Sequence, residues 1–407
     1  MKILFVAYGG GHIAALTPVI KALKNQKDIE FSVFALTTAQ TFLEKEKIDF
    51  FSYTNLPFPS TPHILNRGEE LFSQLSEQKV NREESIHYLG WNMVELEETY
   101  GVEEAGNMYA KRGRHCFFPI QLMKKIIKTC GIDLVISTNS PRSEQAALTA
   151  ASELGVPSIC LVDGFAKYES EWISHPGFSS KVCVLSNSVK DNLVAMGRPA
   201  QDIVVTGNPA FDIFYSPLSK EKINQFKKEN GIPEDKKVIV YASNPESEVH
   251  LYNGRKGDVL LPEKVLEKLI ILLEKQEDYF LIFRPHPSQI FKNVFLSERM
   301  LFDHKFDLLT LLHASDVVVT LTSTVGLQAQ IAGKPLICIN SSVYAADIFY
   351  EDFGYVNRIN CLAELNDSLS IALTRNDQNK IKKLNFLNAT QNILEVINSF
   401  IKKHSIR

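Results

Sequence analysis

Apolar residues fall along this chain in short unbroken runs, each followed by a turn and then by apolar positions at helical spacing. Such runs cover residues 3–8, 31–36, 133–137, 158–162, 182–185 and 203–206 in the first half, and 238–242, 280–283, 317–319 and 336–339 in the second. They are rich in Val and Ile and carry no polar alternation, which predicts strands buried on both faces, as in parallel sheets. The helices predicted between them include 13–25, with Ile13, Leu16, Val19, Ile20 and Leu23 on one face, 188–196 closed by Gly197, and 261–274. The last is 379–403, whose apolar face is Ile381, Leu384, Leu387, Ile393, Leu394, Ile397 and Ile401. Strand and helix alternate throughout, so the fold class is α/β, with right-handed crossovers that put the turns at the carboxyl edges of two sheets.

The pattern breaks once. From residue 57 to about 128 a loop with Pro57, Pro59 and Pro62 leads into charged, helical sequence bearing Tyr and Trp. An insertion on a regular framework commonly carries specificity, and packing helices alone would account for it equally well. The expected organisation is a Rossmann-like domain over 1–207 containing this insertion, a second Rossmann-like domain over 208–378 after the break Gly207-Asn208-Pro209, and a helix over 379–407 that packs back on the first domain. Two open sheets of this kind bind ligands beyond the carboxyl ends of their strands, so a cleft between the domains is the expected site.

Composition narrows the function. With 407 residues and a net charge of -3 there is no basic surplus to attract nucleic acid. The six cysteines are scattered, without a Cys-x-x-Cys pair, and read as reduced core residues of a cytoplasmic protein. The first apolar run is too short for a signal peptide, and no run reaches the roughly 18 residues that span a bilayer. Contact with the inner membrane face would therefore be peripheral.

Candidate chemistry clusters at two turns. Gly9-Gly10-Gly11-His12 follows the first strand and opens the first helix. Gly9, Gly11 and Ala14 fit G-x-G-x-x-A, but the second strand ends Leu36-Thr37-Thr38, without the acidic residue that holds an adenosine ribose. A nicotinamide or flavin is therefore not expected, and no cofactor is assigned. His12 is instead a candidate catalytic base, with Asp163 at a neighbouring strand end to orient or replace it. Gly10 and Gly11 would admit an acceptor, and Asn139 and Arg142 would hold an anionic one.

The second turn, Thr322-Ser323-Thr324-Val325-Gly326, places hydroxyls and a glycine where a helix begins, and helix starts attract phosphate. Thr322 or Ser323 could equally be a plain helix cap. Arg284-Pro285-His286-Pro287 ends another strand and offers two cations on a proline-fixed loop, a clamp for a diphosphate or phosphodiester. A salt bridge for Arg284 and a packed ring for His286 are the bland alternatives. Asn244 could donate to a phosphate, and Glu246 could accept from a sugar hydroxyl. No carboxylate pair is spaced to hold a divalent metal.

With these residues in place, the chain resembles the GT-B glycosyltransferases. Gly-Gly-Gly-His-Ile with Pro18 is similar to the opening of the bacterial transferase that adds N-acetylglucosamine in peptidoglycan synthesis, and Thr206-Gly207-Asn208-Pro209 to a segment of that enzyme and of related epimerases. The Arg284–His286 loop and the 322–326 turn resemble the HP and S/T motifs of bacterial sialyltransferases, capsule transferases and glycerophosphotransferases. The resemblance implies GT-B architecture and a donor site in the second domain formed by His286 and the hydroxyls, to which Asn208 and Gln330 are added. It implies a nucleotide-sugar donor, UDP- or CMP-linked, and a glycan or lipid-linked acceptor. Gln328 and Gln330 stand where retaining members carry Glu-x7-Glu, and no Asp-x-Asp appears, which points to inverting, metal-independent transfer. A glycerophosphotransferase, a UDP-N-acetylhexosamine 2-epimerase, and a binder that never turns the donor over are the alternatives. The epimerases open with Arg-Pro-Glu where this chain has Gly-His-Ile.

Overall fold

A computed structural model describes residues 1–75, 81–289, 291, 297–303, 305–374 and 388–404. The chain forms two compact units, Met1–Ala210 with Asn388–Arg407, and Phe211–Leu387.

The first unit is built on a parallel sheet of β1 (Lys2–Ala7), β2 (Glu30–Ala35), β3 (Leu134–Thr138), β4 (Ser158–Leu161), β5 (Lys181–Val184) and β6 (Ile203–Val205). Its order is β2-β1-β3-β4-β5-β6. The chain steps one way from β1 to β2 and the other way to β3, so the sheet changes direction between β1 and β3. In open α/β sheets that reversal is where a crevice opens at the strand ends. Ile3, Phe5, Ile136, Ile159 and Cys183 bury one face against helix Gly11–Leu23, whose Ile13, Leu16, Val19, Ile20 and Leu23 are all but inaccessible. The C-terminal helix Ala389–His404 completes this core with Ile393, Leu394, Val396 and Ile397, and Asn392 ties it down by donating to the Thr206 carbonyl (3.0 Å). The predicted face residues Ile381, Leu384 and Leu387 lie outside the described residues.

Between β2 and β3 the insertion is helical. Pro62–Phe72, Arg82–Tyr100 and Val102–Arg112 pack on a core of their own around Leu89, Met93, Leu96 and Phe117, and Ile120–Cys130 follows them before β3. The first two cross closely. A Cβ on Gly68 would lie 2.1 Å from the Ile86 carbonyl oxygen, and one on Gly90 would lie 2.0 Å from that of Ile64, so both glycines are sterically required.

The second unit repeats the plan with β7 (Lys237–Ala242), β8 (Tyr279–Arg284), β9 (Met300–Phe302), β10 (Val317–Thr320), β11 (Leu336–Ile339) and β12 (Val356–Ile359). Its order is β12-β11-β10-β7-β8-β9, again all parallel, and it reverses between β7 and β10. The short β9 and the half-exposed β12 are strands the apolar pattern does not announce, because Val356, Asn357 and Arg358 keep partial solvent contact. Of the cysteines, Cys116, Cys160, Cys183 and Cys338 are buried, whereas Cys361 is exposed, against the expectation of a core position. No helix among the described residues is long and apolar enough to cross a membrane.

Candidate functional site

Both sheets carry their chemistry-bearing side chains at the strand ends beside the reversal. In the first unit β1 runs into Tyr8-Gly9-Gly10. Gly10 has φ 71° and ψ -136°, a backbone open to glycine and strained for other residues, and it caps the helix on which His12 is the second residue. His12 Nδ1 lies 3.0 Å from Thr138 Oγ1 at the end of β3 and 3.4 Å from Asp163 Oδ2 beyond β4. A carboxylate and a hydroxyl on Nδ1 hold the ring proton there and leave Nε2 as the acceptor nitrogen. The predicted pair of His12 and Asp163 is therefore brought together, and Thr138, which the sequence reading passed over, joins it.

The asparagines near this pair face inward. Asn139 Oδ1 accepts the Asp163 N–H (3.0 Å), and Asn208 Nδ2 donates to the Asp163 carbonyl (2.8 Å). Asn208 also accepts the Ala210 N–H (2.9 Å). Expected on the acceptor and donor sides respectively, both instead brace Asp163, and Asn208 belongs to the first unit. Gly11 serves the same carboxylate, since a Cβ there would meet Asp163 Oδ2 at 3.2 Å. Arg142 has a left-handed backbone, φ 69°, with its guanidinium 5.8 Å from the Tyr8 ring centroid.

Sequence reasoning also missed Glu144. It is almost fully buried at the start of helix Ser143–Glu153, and its Oε1 accepts the Tyr8 N–H (2.7 Å), which anchors the strand end that leads into the glycine turn. Burial pushes its carboxyl up to about 7, against the hydrogen bonds from backbone N–H groups and the Arg142 charge. An acidic residue in an amphipathic helix reads as solvated, so only its position against β1 reveals it.

In the second unit the loops after β10, β7 and β8 lie side by side. Asn244 grips Thr322 at two points, donating to its Oγ1 (2.9 Å) and accepting its N–H (3.0 Å). Asn244 thus shapes the hydroxyl turn, where it was expected to donate to phosphate. Ser323 caps helix Thr324–Ile331, its Oγ accepting the Val325 N–H (3.2 Å), and its own N–H goes to Thr320 Oγ1 (3.2 Å). The Gly326 N–H goes to the Ser323 carbonyl (3.0 Å). Thr324 is the residue of this turn whose N–H has no acceptor among the described residues. The helix start is therefore largely satisfied from within, and what it can offer an anion is the Thr324 N–H and three hydroxyls. A hydroxyl that accepts one bond keeps its proton to donate, so capping and anion binding are compatible at Ser323.

Other predicted donor-side residues have partners inside the fold. Arg284 is ion-paired to the fully buried Asp303, whose carboxylate also accepts the N–H groups of Lys305 (2.9 Å) and Phe306 (2.8 Å). The salt-bridge alternative therefore describes Arg284, because a buried carboxylate needs a cation beside it. Glu246 accepts from Ser342 Oγ (2.7 Å) and the Val343 N–H (2.7 Å), which engages both its oxygens. Gly326 is small because a Cβ would meet the Tyr350 hydroxyl at 3.0 Å. Gln330 sits about 9 Å along the helix axis from Thr324, and its amide is buried and donates to the Tyr355 carbonyl (3.2 Å).

His286 is exposed. Its Nδ1 accepts the Ser288 N–H (3.2 Å) beside Ser288 Oγ at 2.7 Å, so the ring presents Nε2–H outward. Among the described residues no group of three or more His, Cys, Asp or Glu side chains is placed to hold a metal ion.

Residues 180–358, which include the 284–287 loop and the 322–326 turn, match the model of the CDP-glycerol:poly(glycerophosphate) glycerophosphotransferase family. None of the curated proteins matches the chain. Among solved structures, UDP-GlcNAc 2-epimerase from Neisseria meningitidis bound to UDP-GlcNAc is similar over 98% of this chain and 100% of its own, with a TM-score of 0.62 and 14% identity. A glycosyltransferase from Rickettsia africae aligns over 98% of each chain with a TM-score of 0.57 and 16% identity. Anabaena HepE, in complex with UDP and glucose, covers 98% of this chain and 100% of its own, with a TM-score of 0.57 and 15% identity. At such identities the likeness establishes the fold, which is that of the GT-B glycosyltransferases and UDP-GlcNAc 2-epimerases.

Proposed function

We propose that this chain is a transferase that takes a group from a nucleotide-activated donor, held by its second unit, and passes it to an acceptor hydroxyl activated by its first. The observation that carries this reading is the family match over residues 180–358, which contains both the His286 loop and the hydroxyl turn. Those features would meet the donor's phosphates through His286 Nε2–H, the hydroxyls of Thr322, Ser323 and Thr324, and the Thr324 N–H, with these oriented dipoles taking the charge of the leaving phosphate.

In the first reading the transferred group is a sugar, moved with inversion from a UDP- or CMP-linked donor to a cell-surface glycan or a lipid-linked acceptor. In the second it is glycerol phosphate from a CDP-linked donor, the reading the family match favours. The two share one proton path. The acceptor O–H gives its proton to His12 Nε2, its oxygen forms the new bond, and the bond to the leaving phosphate breaks with the electron pair staying on that phosphate.

Thermal-shift titration with UDP, CMP, CDP, GDP and dTDP, followed by product analysis with matching donors, tests this. Binding of none of them would sink the reading. Turnover of a nucleotide-sugar without any acceptor would indicate epimerisation instead. Transfer is also expected to continue in excess chelator. Loss of turnover that magnesium or manganese restores would reveal a metal site.

The donor-side prediction separates capping from binding. His286→Ala is expected to weaken nucleotide binding by about 1–3 kcal/mol, the usual loss for a charge-assisted hydrogen bond. Ser323→Asp should preserve stability, because Asp caps a helix as well as Ser does, yet repel the phosphate and weaken binding at least comparably. Nucleotide affinity equal to the parent protein in both variants would place the donor elsewhere.

A further inference from the structure

Exposed large apolar side chains stand singly or in pairs along most of this chain, but five fall within residues 249–260 of the second unit: Val249, Leu251, Tyr252, Val259 and Leu260. Among the described residues no large apolar side chain is more exposed than Leu251, at 76%, and Tyr252 beside it is 62% exposed. Water disfavours such a group, and a soluble surface seldom gathers one without a partner to cover it.

The segment is a pinned hairpin rather than a loose loop. Val249 pairs with Lys256 across an antiparallel bridge, the His250 N–H donates to the Arg255 carbonyl (2.8 Å), and the Gly257 N–H donates to that of Glu248 (2.8 Å). His250 is the anchor. It is buried, with its ring 5.1 Å from that of Tyr344, and its Nδ1 accepts the N–H groups of Tyr252 (3.2 Å) and Asn253 (3.3 Å). That leaves the ring proton on Nε2, which donates to Asp347 Oδ2 (2.8 Å). Gly257 closes the base, since a Cβ there would lie 2.1 Å from the Ser247 carbonyl oxygen. Successive residues of a strand face opposite ways, so turning His250 inward turns Val249 and Leu251 out. The fold thus holds Leu251 and Tyr252 in water at the tip, where an untied loop would fold them back.

Charge chooses the occupant. Residues 249–256 include no acid, and Arg255 and Lys256 are exposed, with no ion pair among the described residues. Of the flanking acids, Asp258 is paired with Lys264, and Glu248 stands at the foot of the hairpin. A second copy of the chain fits poorly. A stable interface takes about 20–30 residues a side, and a two-fold contact through the hairpin would set each copy's Arg255 and Lys256 against the other's. An anionic lipid surface answers both halves of the patch. Leucine and tyrosine enter the boundary between headgroups and acyl chains, and the two cations meet the headgroups.

We propose that the 249–256 hairpin docks the second unit on an anionic lipid bilayer, with Leu251 and Tyr252 inserted and Arg255 and Lys256 at the headgroups. The docking is peripheral, and it stands independently of the transferase reading.

The test sediments the full chain with vesicles of phosphatidylcholine alone and of phosphatidylcholine with phosphatidylglycerol. Capture is expected where phosphatidylglycerol is present, weakening as salt rises. Leu251→Ser combined with Tyr252→Ser should reduce it by about tenfold or more, the scale of two apolar side chains returned to water. Arg255→Gln combined with Lys256→Gln should do the same, at about fivefold for each cation. All four side chains are exposed, so both double variants should unfold at the parent's temperature. Leu251→Trp supplies a readout that does not depend on loss, because its emission should shift to the blue when anionic vesicles are added. No capture, capture that either double variant retains in full, or an unshifted emission overturns the proposal. Dimerisation in lipid-free solution that Leu251→Ser with Tyr252→Ser abolishes would assign the patch to a second copy, and overturns it as well.

Discussion

Replacing His12 with alanine is expected to cut turnover by about 100-fold or more while leaving nucleotide affinity unchanged, within the usual range for removal of a general base. The expectation rests on how the ring is held. Its Nδ1 faces Thr138 Oγ1 at 3.0 Å and Asp163 Oδ2 at 3.4 Å, so Nε2 is the nitrogen left to accept a proton. Asp163 in turn is fixed through its backbone by Asn139 and Asn208 rather than through its carboxylate, which leaves that carboxylate to the imidazole. Asp163→Asn should therefore lower turnover as well, by letting an amide N–H face Nδ1 and displacing the proton towards Nε2. The two variants belong in one assay with single-turnover rates, so that the chemical step is compared directly. Near-normal turnover in His12→Ala, with loss in Asp163→Ala, would make the aspartate the base and His12 a packing or acceptor-binding residue.

This dyad could be anticipated from sequence because both members stand at strand ends of a βα framework. The framework itself is legible for a physical reason: strands buried on both faces, such as Val317–Thr320, must be apolar at every position, and that leaves an unbroken run. Strands with a wet face leave no such mark, which is why Val356–Ile359 escapes notice. Side-chain partnership is less legible still. Arg284 reads as a free cation until Asp303, nineteen residues on, is seen beneath it, and Asn244 reads as a phosphate donor until Thr322 takes both ends of its amide. In each case the competing partner is remote in sequence and adjacent only because parallel strands bring their ends together. The hydroxyl turn shows the opposite limit. Its residue types suit both a cap and an anion site, and its geometry performs the first while keeping protons for the second.

Glu144 is the group for which the sequence offers no hint and the structure predicts the largest stability effect. Its carboxyl, ordinarily near 4.5, is pushed up to about 7 by burial. Between those values the folded protein holds a proton that the unfolded chain has released, so stability falls as pH rises through this window and is level on either side of it. At about 1.4 kcal/mol per pH unit the burial of this charge costs roughly 3 kcal/mol above pH 7. Glu144→Gln removes the charge and keeps an oxygen for the Tyr8 N–H, which the native carboxylate accepts at 2.7 Å. The variant is therefore expected to match the parent near pH 4.5 and to exceed it by an amount that grows to about 1–3 kcal/mol at pH 8. Glu144→Ala should behave differently, because it strands the Tyr8 N–H in a buried place and loses stability at both pH values. Urea unfolding of the three proteins at pH 4.5, 6 and 8 decides the matter. A difference between Glu144→Gln and the parent that does not change with pH would mean that Glu144 titrates like an exposed carboxylate, and that the strand end before the glycine turn is not anchored by a proton-sensitive group.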